Sequence, residues 1–195
     1  MAKTKSKICQ KCGLCGALLL NKSKEAIIKI KGNYLQSYKY FNNYIGEIKE
    51  FYKFKENIQK GGELIAKKLF GNGTKGFKFC VHIRRGDFIK IGQASKKQFT
   101  NKAINFLIPK LEYKIYMPEI NNSGVNMYFA INYCNSYLIT ASSSTFAWWI
   151  GFLMPEEVPI FYYNCHLECI HIKKKDYFLP KPPPGKELII IIWEN

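Results

Sequence analysis

Both arginines of this 195-residue chain stand side by side, as Arg84 and Arg85 in the segment FCVHIRRGDF (79–88). All the other residues in its total of 30 Lys and Arg are lysines. A guanidinium presents a planar fork of donors that binds phosphate in a bidentate way, whereas an ammonium is a point charge on a flexible stem. The use of arginine at this position alone predicts a site that holds a phosphate or pyrophosphate in a fixed geometry.

His82 and Asp87 lie in the same segment, and Asp87 is one of only two aspartates in the chain. We expect Asp87 to orient one guanidinium while the other faces the ligand. The alternative is a salt bridge between Arg and Asp that only ties the loop to the sheet. For His82 the alternatives are a base or phosphate partner and a hydrogen-bonded core residue.

A second group of polar residues occurs in ITASSSTFAWW (139–149), where Ser142, Ser143, Ser144 and Thr145 are consecutive. The apolar residues after them predict a buried helix. Hydroxyls and N–H groups of its first turn can converge on an anion at the positive end of the helix dipole. The alternative is that one hydroxyl caps the helix and the others fill the loop.

The spacing of apolar residues predicts the elements that carry both segments. A buried strand over 77–83 is preceded by two helices broken around 60–62 and followed by a loop at Gly86. A helix over 97–108, with Thr100 as its cap, comes next. A helix, a strand, a helix and two strands are then predicted in NMYFAINYC, NSYLIT, TFAWWIGFLM, VPIFYYN and ELIIIIW. This alternation predicts an α/β fold with a mainly parallel sheet, in which ligands bind at the carboxyl ends of the strands.

The net charge of +16 and the pI of about 9.5 permit an anionic partner. The lysines are scattered, however, and no nucleic-acid recognition motif is interleaved with them. We therefore favour a solvated basic surface and expect no nucleic-acid partner. A basic module that binds RNA or acidic glycans stays open as the alternative function.

The seven cysteines form an N-terminal group, two isolated residues and a pair: Cys9, Cys12 and Cys15; Cys80 and Cys134; Cys165 and Cys169. The first group resembles the start of a metal-ligand run. No further ligands follow at the spacing that an iron–sulfur or zinc site needs, so we predict no metal. Residues 1–33 are interpreted as a Lys-rich and Cys-rich leader, poorly ordered, ahead of a single domain over 34–195.

Three N-x-[ST] triplets, at Asn21, Asn72 and Asn121, fit a protein of the secretory pathway, but such triplets are common by chance in an Asn-rich chain. The longest early apolar run, GLCGALLL, has eight residues, and a membrane-spanning helix needs about 20. The sequence therefore predicts no membrane span and no clear signal peptide.

The motifs VHIRRGDF and CNSYLITASSSTFAWWIGFL together resemble the α-1,2-fucosyltransferase family, glycosyltransferase family 11, and especially its nematode-like members. The His-x-Arg-Arg-x-Asp pattern is the signature shared with other transferases that use GDP-fucose. NYLQSYKYF is similar to the segment that precedes this signature, so the resemblance extends with interruptions over residues 32–165. It implies a Rossmann-like sheet similar to the C-terminal, donor-binding half of a GT-B glycosyltransferase.

The resemblance also implies a reaction, which is the transfer of fucose from GDP-fucose to the 2-hydroxyl of a terminal galactose on a glycan. The transfer would invert the anomeric configuration without an obligatory metal, and the enzyme would reside at the Golgi membrane or in its lumen. Arg84 and Arg85 would hold the pyrophosphate, with Asp87 positioning them. The pocket for phosphate and nucleotide would be lined by Ser143, Ser144, Thr145 and Phe146. The motifs identify neither the general base nor the acceptor glycan.

The chain departs from the family pattern in three places. Little over 80 residues precede the signature, where the family has a membrane anchor and a longer acceptor-side region. Between FLIPKLEYKIYM and NNSGVNMYF the family usually carries a strand and an acidic loop, which we expect this chain to have lost, and the step before MYFA is GVN where relatives are often acidic. We therefore expect a truncated form that retains the donor-binding half; a naturally short enzyme and a catalytically inactive relative stay open as alternatives.

Overall fold

The computed structural model describes residues 4–9, 27–32, 42–71, 76–108, 113–163 and 188–194. Its strands there are β1 (Thr4–Cys9), β2 (Ile27–Gly32), β3 (Phe77–Ile83), β4 (Tyr113–Tyr116), β5 (Ser136–Ile139), β6 (Ile160–Tyr162) and β7 (Leu188–Glu194). Its helices there are α1 (Ile45–Phe51), α2 (Glu56–Phe70), α3 (Gly86–Lys90), α4 (Lys97–Leu107), α5 (Ser123–Tyr133) and α6 (Thr145–Leu153). A short 3-10 helix, Asn42–Tyr44, precedes α1.

Five strands form one parallel sheet in the order β4-β7-β3-β5-β6, and β1 pairs with β2 in a separate parallel pair. Along the centre of the larger sheet, Phe79 lies opposite Ser136 and His82 lies opposite Ile139. The carboxyl ends of β3 and β5 therefore lie next to each other at one edge. The prediction of an α/β fold with a mainly parallel sheet is confirmed, and the arrangement is compatible with a Rossmann-like fold.

Helices cover both faces of the sheet because side chains alternate along its central strands. Phe79 and Val81 of β3 pack on one face, in a cluster with Ile104 of α4. Cys80 of β3 and Tyr137 of β5 belong to a second cluster, which includes apolar residues of α2, α5 and α6. The sheet is thus the middle layer of three, with a core on each side of it.

The helix break predicted around residues 60–62 is wrong, because α2 continues through it and the break lies between α1 and α2. Gly61 and Gly62 remain helical where α2 packs on α5. A Cβ at Gly61 would lie 2.8 Å from a methyl carbon of Val125, and one at Gly62 would lie 2.4 Å from a ring carbon of Tyr128. The two glycines therefore serve a close approach between helices.

One further expectation is corrected at α4, and one strand is added. Thr100 is not the cap of α4, since Lys96 holds that position and the buried Thr100 hydroxyl donates to the Lys96 carbonyl over 3.0 Å. The strand β4, at the edge of the sheet beside β7, is an element that the sequence does not predict. Its four residues are too few for periodicity to identify from sequence.

The other predicted elements are confirmed in type, with one refinement: the loop expected at Gly86 contains the five-residue helix α3. Within residues 1–33 the structure describes β1 and β2, which the sequence does not predict. The boundary between leader and domain stays a prediction. Predictions on NYLQSYKYF, Cys12, Cys15, Asn21, Asn72, Cys165 and Cys169 lie outside the described residues.

Cys80 and Cys134, isolated in the sequence, form a disulfide with their Cα atoms 5.8 Å apart. Both cysteines are buried, and the bond joins β3 to the end of α5. The bond spans 54 residues. Loop-closure entropy for a loop of that length gives a stabilisation of about 4 kcal/mol.

No helix among the described residues is long and apolar enough to cross a membrane.

Candidate functional site

The two polar segments predicted from the sequence meet at the carboxyl edge of the sheet. β3 and β5 are adjacent and parallel, but the helices that follow them lie on opposite faces. α4 covers the face of Val81, and α6 covers the face of Tyr137. Loops that leave neighbouring strands toward opposite faces open a crevice between them, which is where open α/β sheets bind ligands.

Arg84 follows β3 directly, and its guanidinium is held from two sides. Its Nη2 lies 2.9 Å from Oδ1 and 3.1 Å from Oδ2 of Asp87, and the guanidinium lies 4.9 Å from the centre of the Phe88 ring. The Asp87 side chain is 68% exposed. An ion pair this exposed stabilises a fold by at most about 1 kcal/mol, so its main effect is to orient the guanidinium.

The Nε of Arg84 is buried and has no hydrogen-bond partner in the described part of the chain. A buried donor left without an acceptor costs about 1–3 kcal/mol. An anionic ligand in the crevice would remove that cost, and the contact with Asp87 leaves Nε available for it.

Arg85 is placed differently from Arg84, because its side chain is exposed. It is the residue before α3, and its carbonyl accepts from Phe88 N at 2.7 Å and from Ile89 N at 3.2 Å. Adjacent arginines therefore have separate positions, one against the fold and one at its surface. Asp87 pairs with Arg84, a contact that both the orienting interpretation and the loop-tying interpretation predict.

His82 is the last but one residue of β3, and its side chain is fully buried. Burial, and then the charge of Arg84, lower the pKa of His82 to about 3. Its ring lies 5.7 Å from the ring of Phe146, between centroids. A neutral, enclosed imidazole favours the core-residue interpretation over a cationic phosphate partner.

The consecutive hydroxyl residues divide into two structural roles. Ser142 is buried and donates to the Tyr163 carbonyl, which ties the loop to the end of β6. Ser144 is the N-cap of α6, and its Oγ accepts from Ala147 N at 3.3 Å. These contacts match the alternative in which a hydroxyl caps the helix and another holds the loop.

Ser143, Thr145 and Phe146 remain available at the start of α6. The Oγ of Ser143 is buried without a hydrogen-bond partner among the described residues. Thr145 is exposed as the first residue of the helix, and Phe146 is half-buried against His82. The first N–H groups of a helix have no acceptor within it. Together they form a donor-rich surface that suits an anion.

Two buried hydroxyls that the sequence analysis did not identify connect these segments. Thr140 follows β5, and Ser95 precedes α4; their Oγ atoms lie 2.6 Å apart. Thr140 is within the ITASSST segment, but no local pattern distinguishes Ser95 from other loop serines. Within the described ranges, no three His, Cys, Asp or Glu residues are close enough to hold a metal ion.

Comparison with known proteins agrees with the motifs. A galactoside 2-alpha-L-fucosyltransferase of Caenorhabditis elegans is 32% identical over 203 residues, which cover 87% of this chain and 55% of the relative. A second C. elegans protein of the same name is 24% identical over 195 residues, covering 73% of this chain and 48% of its own. The chain is a relative of the α-1,2-fucosyltransferases. The resemblance predicted from VHIRRGDF and its companion motif is thereby confirmed.

No family model matches the chain, and no solved structure matches it. The chain spans about half the length of the curated fucosyltransferases it matches.

Proposed function

We propose that this chain supplies the donor-binding half of a galactoside 2-alpha-L-fucosyltransferase and holds GDP-fucose in the crevice between the loops after β3 and β5. The observation that carries the proposal is the pair of buried donors in those loops, Arg84 Nε and Ser143 Oγ, which have no hydrogen-bond partner among the described residues. They lie at the carboxyl ends of adjacent strands in a relative of fucosyltransferases. This donor-binding half would correspond to the C-terminal half of a GT-B enzyme.

The diphosphate of the donor would be bound from both loops. Arg84, oriented by Asp87, supplies a fixed guanidinium, and exposed Arg85 supplies a second one from the surface. Ser143 and the first N–H groups of α6 approach from the other side, where the helix dipole favours negative charge. The net charge of +16 would raise the local concentration of such a polyanion.

In the proposed reaction the 2-hydroxyl of a terminal galactose attacks C1 of fucose from the face opposite the diphosphate. The bond from C1 to the β-phosphate oxygen breaks, GDP leaves with the bonding electrons, and the galactose proton passes to a base. Negative charge then grows on the β-phosphate, where fixed guanidinium and N–H donors stabilise the transition state more than the ground state. The proposal requires no obligatory metal.

The base is not assigned to a described residue. The pKa of His82, at about 3, and its full burial do not suit the acceptance of a proton from a bound sugar. The base and the acceptor surface would then belong to the other half of the enzyme.

Residence in the secretory pathway, with a glycan acceptor and membrane association as in the Golgi, is part of the same proposal. The buried disulfide between Cys80 and Cys134 supports it. Disulfides persist in oxidising compartments and are rare in the cytosol.

The proposal is tested by titration calorimetry of GDP against the full chain. Replacing both Arg84 and Arg85 by Lys keeps the charge but removes the fork, so we expect GDP binding to be lost. Of the single variants, Arg84→Lys should weaken binding by about 10-fold to 150-fold, the equivalent of one charged hydrogen bond, and Arg85→Lys by less. Lys102→Gln, which removes one exposed charge from α4, is the control and should leave GDP affinity unchanged.

Equal GDP affinity in the wild type and the double arginine variant would contradict the proposal. Binding of RNA or acidic glycans that falls steeply with salt and ignores both arginines would instead support the basic binding module. GDP-fucose binding without transfer to any galactoside would indicate an inactive relative.

A further inference from the structure

A chain of hydrogen bonds joins the loop after β3 to the loop after β5. The N–H of Arg84 donates to Ser95 Oγ over 2.7 Å, and Ser95 Oγ lies 2.6 Å from Thr140 Oγ1. Thr140 Oγ1 in turn donates to the carbonyl of His82 over 2.6 Å. Ser95 is 4% exposed and Thr140 is 1% exposed, so water does not compete for these bonds.

The direction of each bond follows from the proton inventory. A carbonyl can only accept, so the single hydroxyl proton of Thr140 goes to His82. Ser95 must then donate its own proton to Thr140, which leaves its oxygen lone pairs for the N–H of Arg84. The hydroxyls of Ser95 and Thr140 thus each donate one hydrogen bond and accept one. A buried hydrogen-bond network in which every group is satisfied in this way holds one arrangement.

The same serine closes the loop that carries the arginines. Its backbone N–H donates to the carbonyl of Arg84 over 2.7 Å, while its Oγ accepts from the Arg84 N–H. Residues 84–95 therefore form a closed loop whose ends are fastened to each other. Thr140 then fastens that closed loop to the strand that leads to Ser143 and α6.

We infer that Ser95 and Thr140 are positioning residues for the donor diphosphate, because they fix the backbone of Arg84 relative to the hydroxyl and helix donors that follow β5. The inference rests on the proposed function. Asp87 orients the guanidinium of Arg84. This contact alone would still allow the long Arg84 side chain to shift together with its backbone. The hydroxyl chain removes that freedom, and a fixed donor loses less entropy when it binds.

A purely structural role for the two hydroxyls is the competing explanation, and it makes a different prediction. Valine has nearly the shape of threonine, so Thr140→Val would keep the packing while removing the link to Ser95 and His82. If the hydroxyls only stabilise the fold, such a change lowers stability and leaves ligand affinity alone. If they position Arg84, affinity falls only when Arg84 itself is present.

The experiment is a double-mutant cycle on GDP affinity, measured by calorimetry with the full chain. Ser95→Ala and Thr140→Val are each made in the wild type and in an Arg84→Ala background. We expect each to weaken GDP binding about fivefold in the wild type, the effect of one net hydrogen bond, and to have no further effect without Arg84. Thr140→Ser, which keeps the hydroxyl, should restore wild-type affinity.

Ser136→Ala is the matched control. Ser136 carries a buried hydroxyl at the start of β5, the strand that Thr140 follows, and it donates to the Pro159 carbonyl over 3.2 Å. Its loss should lower the unfolding midpoint as much as the test variants do, with GDP affinity unchanged. If Thr140→Val does not fold, Ser95→Ala carries the test, because Ser95 lies in the irregular segment before α4, outside any helix or strand.

Each outcome decides the matter. Wild-type GDP binding that is unchanged in Ser95→Ala and Thr140→Val, or that weakens equally with and without Arg84, overturns the positioning role and leaves the proposed function standing. No GDP binding by the wild type overturns the proposed function, and the positioning role with it.

Discussion

The two ends of β3 are built on opposite principles. At the amino end, Lys78 and Asn135 exchange two hydrogen bonds, Lys78 N to Asn135 Oδ1 at 3.0 Å and Asn135 N to Lys78 O at 2.9 Å. The disulfide between Cys80 and Cys134 lies directly beside them. At the carboxyl end, Arg84 Nε and Ser143 Oγ are buried donors without a partner among the described residues. The polar groups at the amino end are bonded to one another, whereas the buried donors at the carboxyl end are available to a ligand.

Cavity size alone does not reveal this difference. Beside the amino end, a cavity of about 350 Å³ is lined by Glu63, Ala66, Lys67, Phe70, Gly71, Lys78 and Tyr133. One of its two lysines is already engaged, since the Nζ of Lys78 donates to the Gly76 carbonyl at 3.5 Å and lies 5.2 Å from the centre of the Phe70 ring. At the opposite end, Arg84 Nε and Ser143 Oγ, which lack a partner among the described residues, are the better guide to a ligand.

The largest effect on stability should come from removing the disulfide at the amino end of β3. Replacing Cys80 and Cys134 together by Ala removes a cross-link over 54 residues. We expect the free energy of unfolding to fall by about 4 kcal/mol, measured by chemical denaturation. GDP affinity at a temperature where the variant is folded should change by less than about twofold, because the donors lie at the other end of the strand.

A reductant supplies the control for this variant. Wild type treated with a strong thiol in denaturant should lose the same stability, while the double variant should be insensitive to the treatment. Equal unfolding free energies for wild type and variant would show that the disulfide does not close the amino end.

The next effect concerns protons at the carboxyl end. Burial, and then the charge of Arg84, lower the pKa of His82 to about 3, whereas an unfolded histidine titrates near 6.5. The unfolded state therefore binds more protons between these values, and stability is lost as pH falls from 6.5 toward 3. Between pH 7.5 and pH 5 we expect a loss of about 2 kcal/mol in unfolding free energy.

His82→Phe isolates this contribution, because it replaces the imidazole by a ring that does not titrate beside Phe146. Denaturation of both proteins at pH 7.5 and pH 5 should show the smaller change in the variant, and the remaining ionisable groups cancel in the comparison. Parallel pH profiles for the two proteins would contradict the assigned titration.

The sequence predicts those parts of the fold that depend on residues adjacent to one another in the chain. FKFCVHI and TFAWWIGFL are apolar runs, and each forms the element expected, with α6 buried on several sides. The uniqueness of Arg84 and Arg85 marks a special loop without any alignment. For this reason the strand ends and the arginine pair could be located before the structure was known.

What the sequence does not show depends on contacts between distant residues. The low helix propensity of Gly61 and Gly62 predicts a break in the helix, but the close approach of α5 to these residues keeps them helical. The pairing of Cys80 with Cys134 follows from how α5 returns to β3. Ser95 acquires its role only because Arg84 and Thr140 lie beside it, and the arginines acquire different exposures although they are neighbours.

The smallest effect distinguishes two neighbouring serines within the carboxyl end itself. Ser144 caps α6 through Ala147 N, so Ser144→Ala should lower the unfolding free energy by about 1 kcal/mol. Ser143 Oγ has no such bond among the described residues, so Ser143→Ala should leave stability the same or slightly higher. In GDP titration, Ser143→Ala should weaken binding about fivefold, the effect of one lost hydrogen bond. If Ser143→Ala instead lowers stability and spares GDP affinity, Ser143 belongs with the closed parts of the fold, and the contrast between the two ends rests on Arg84 alone.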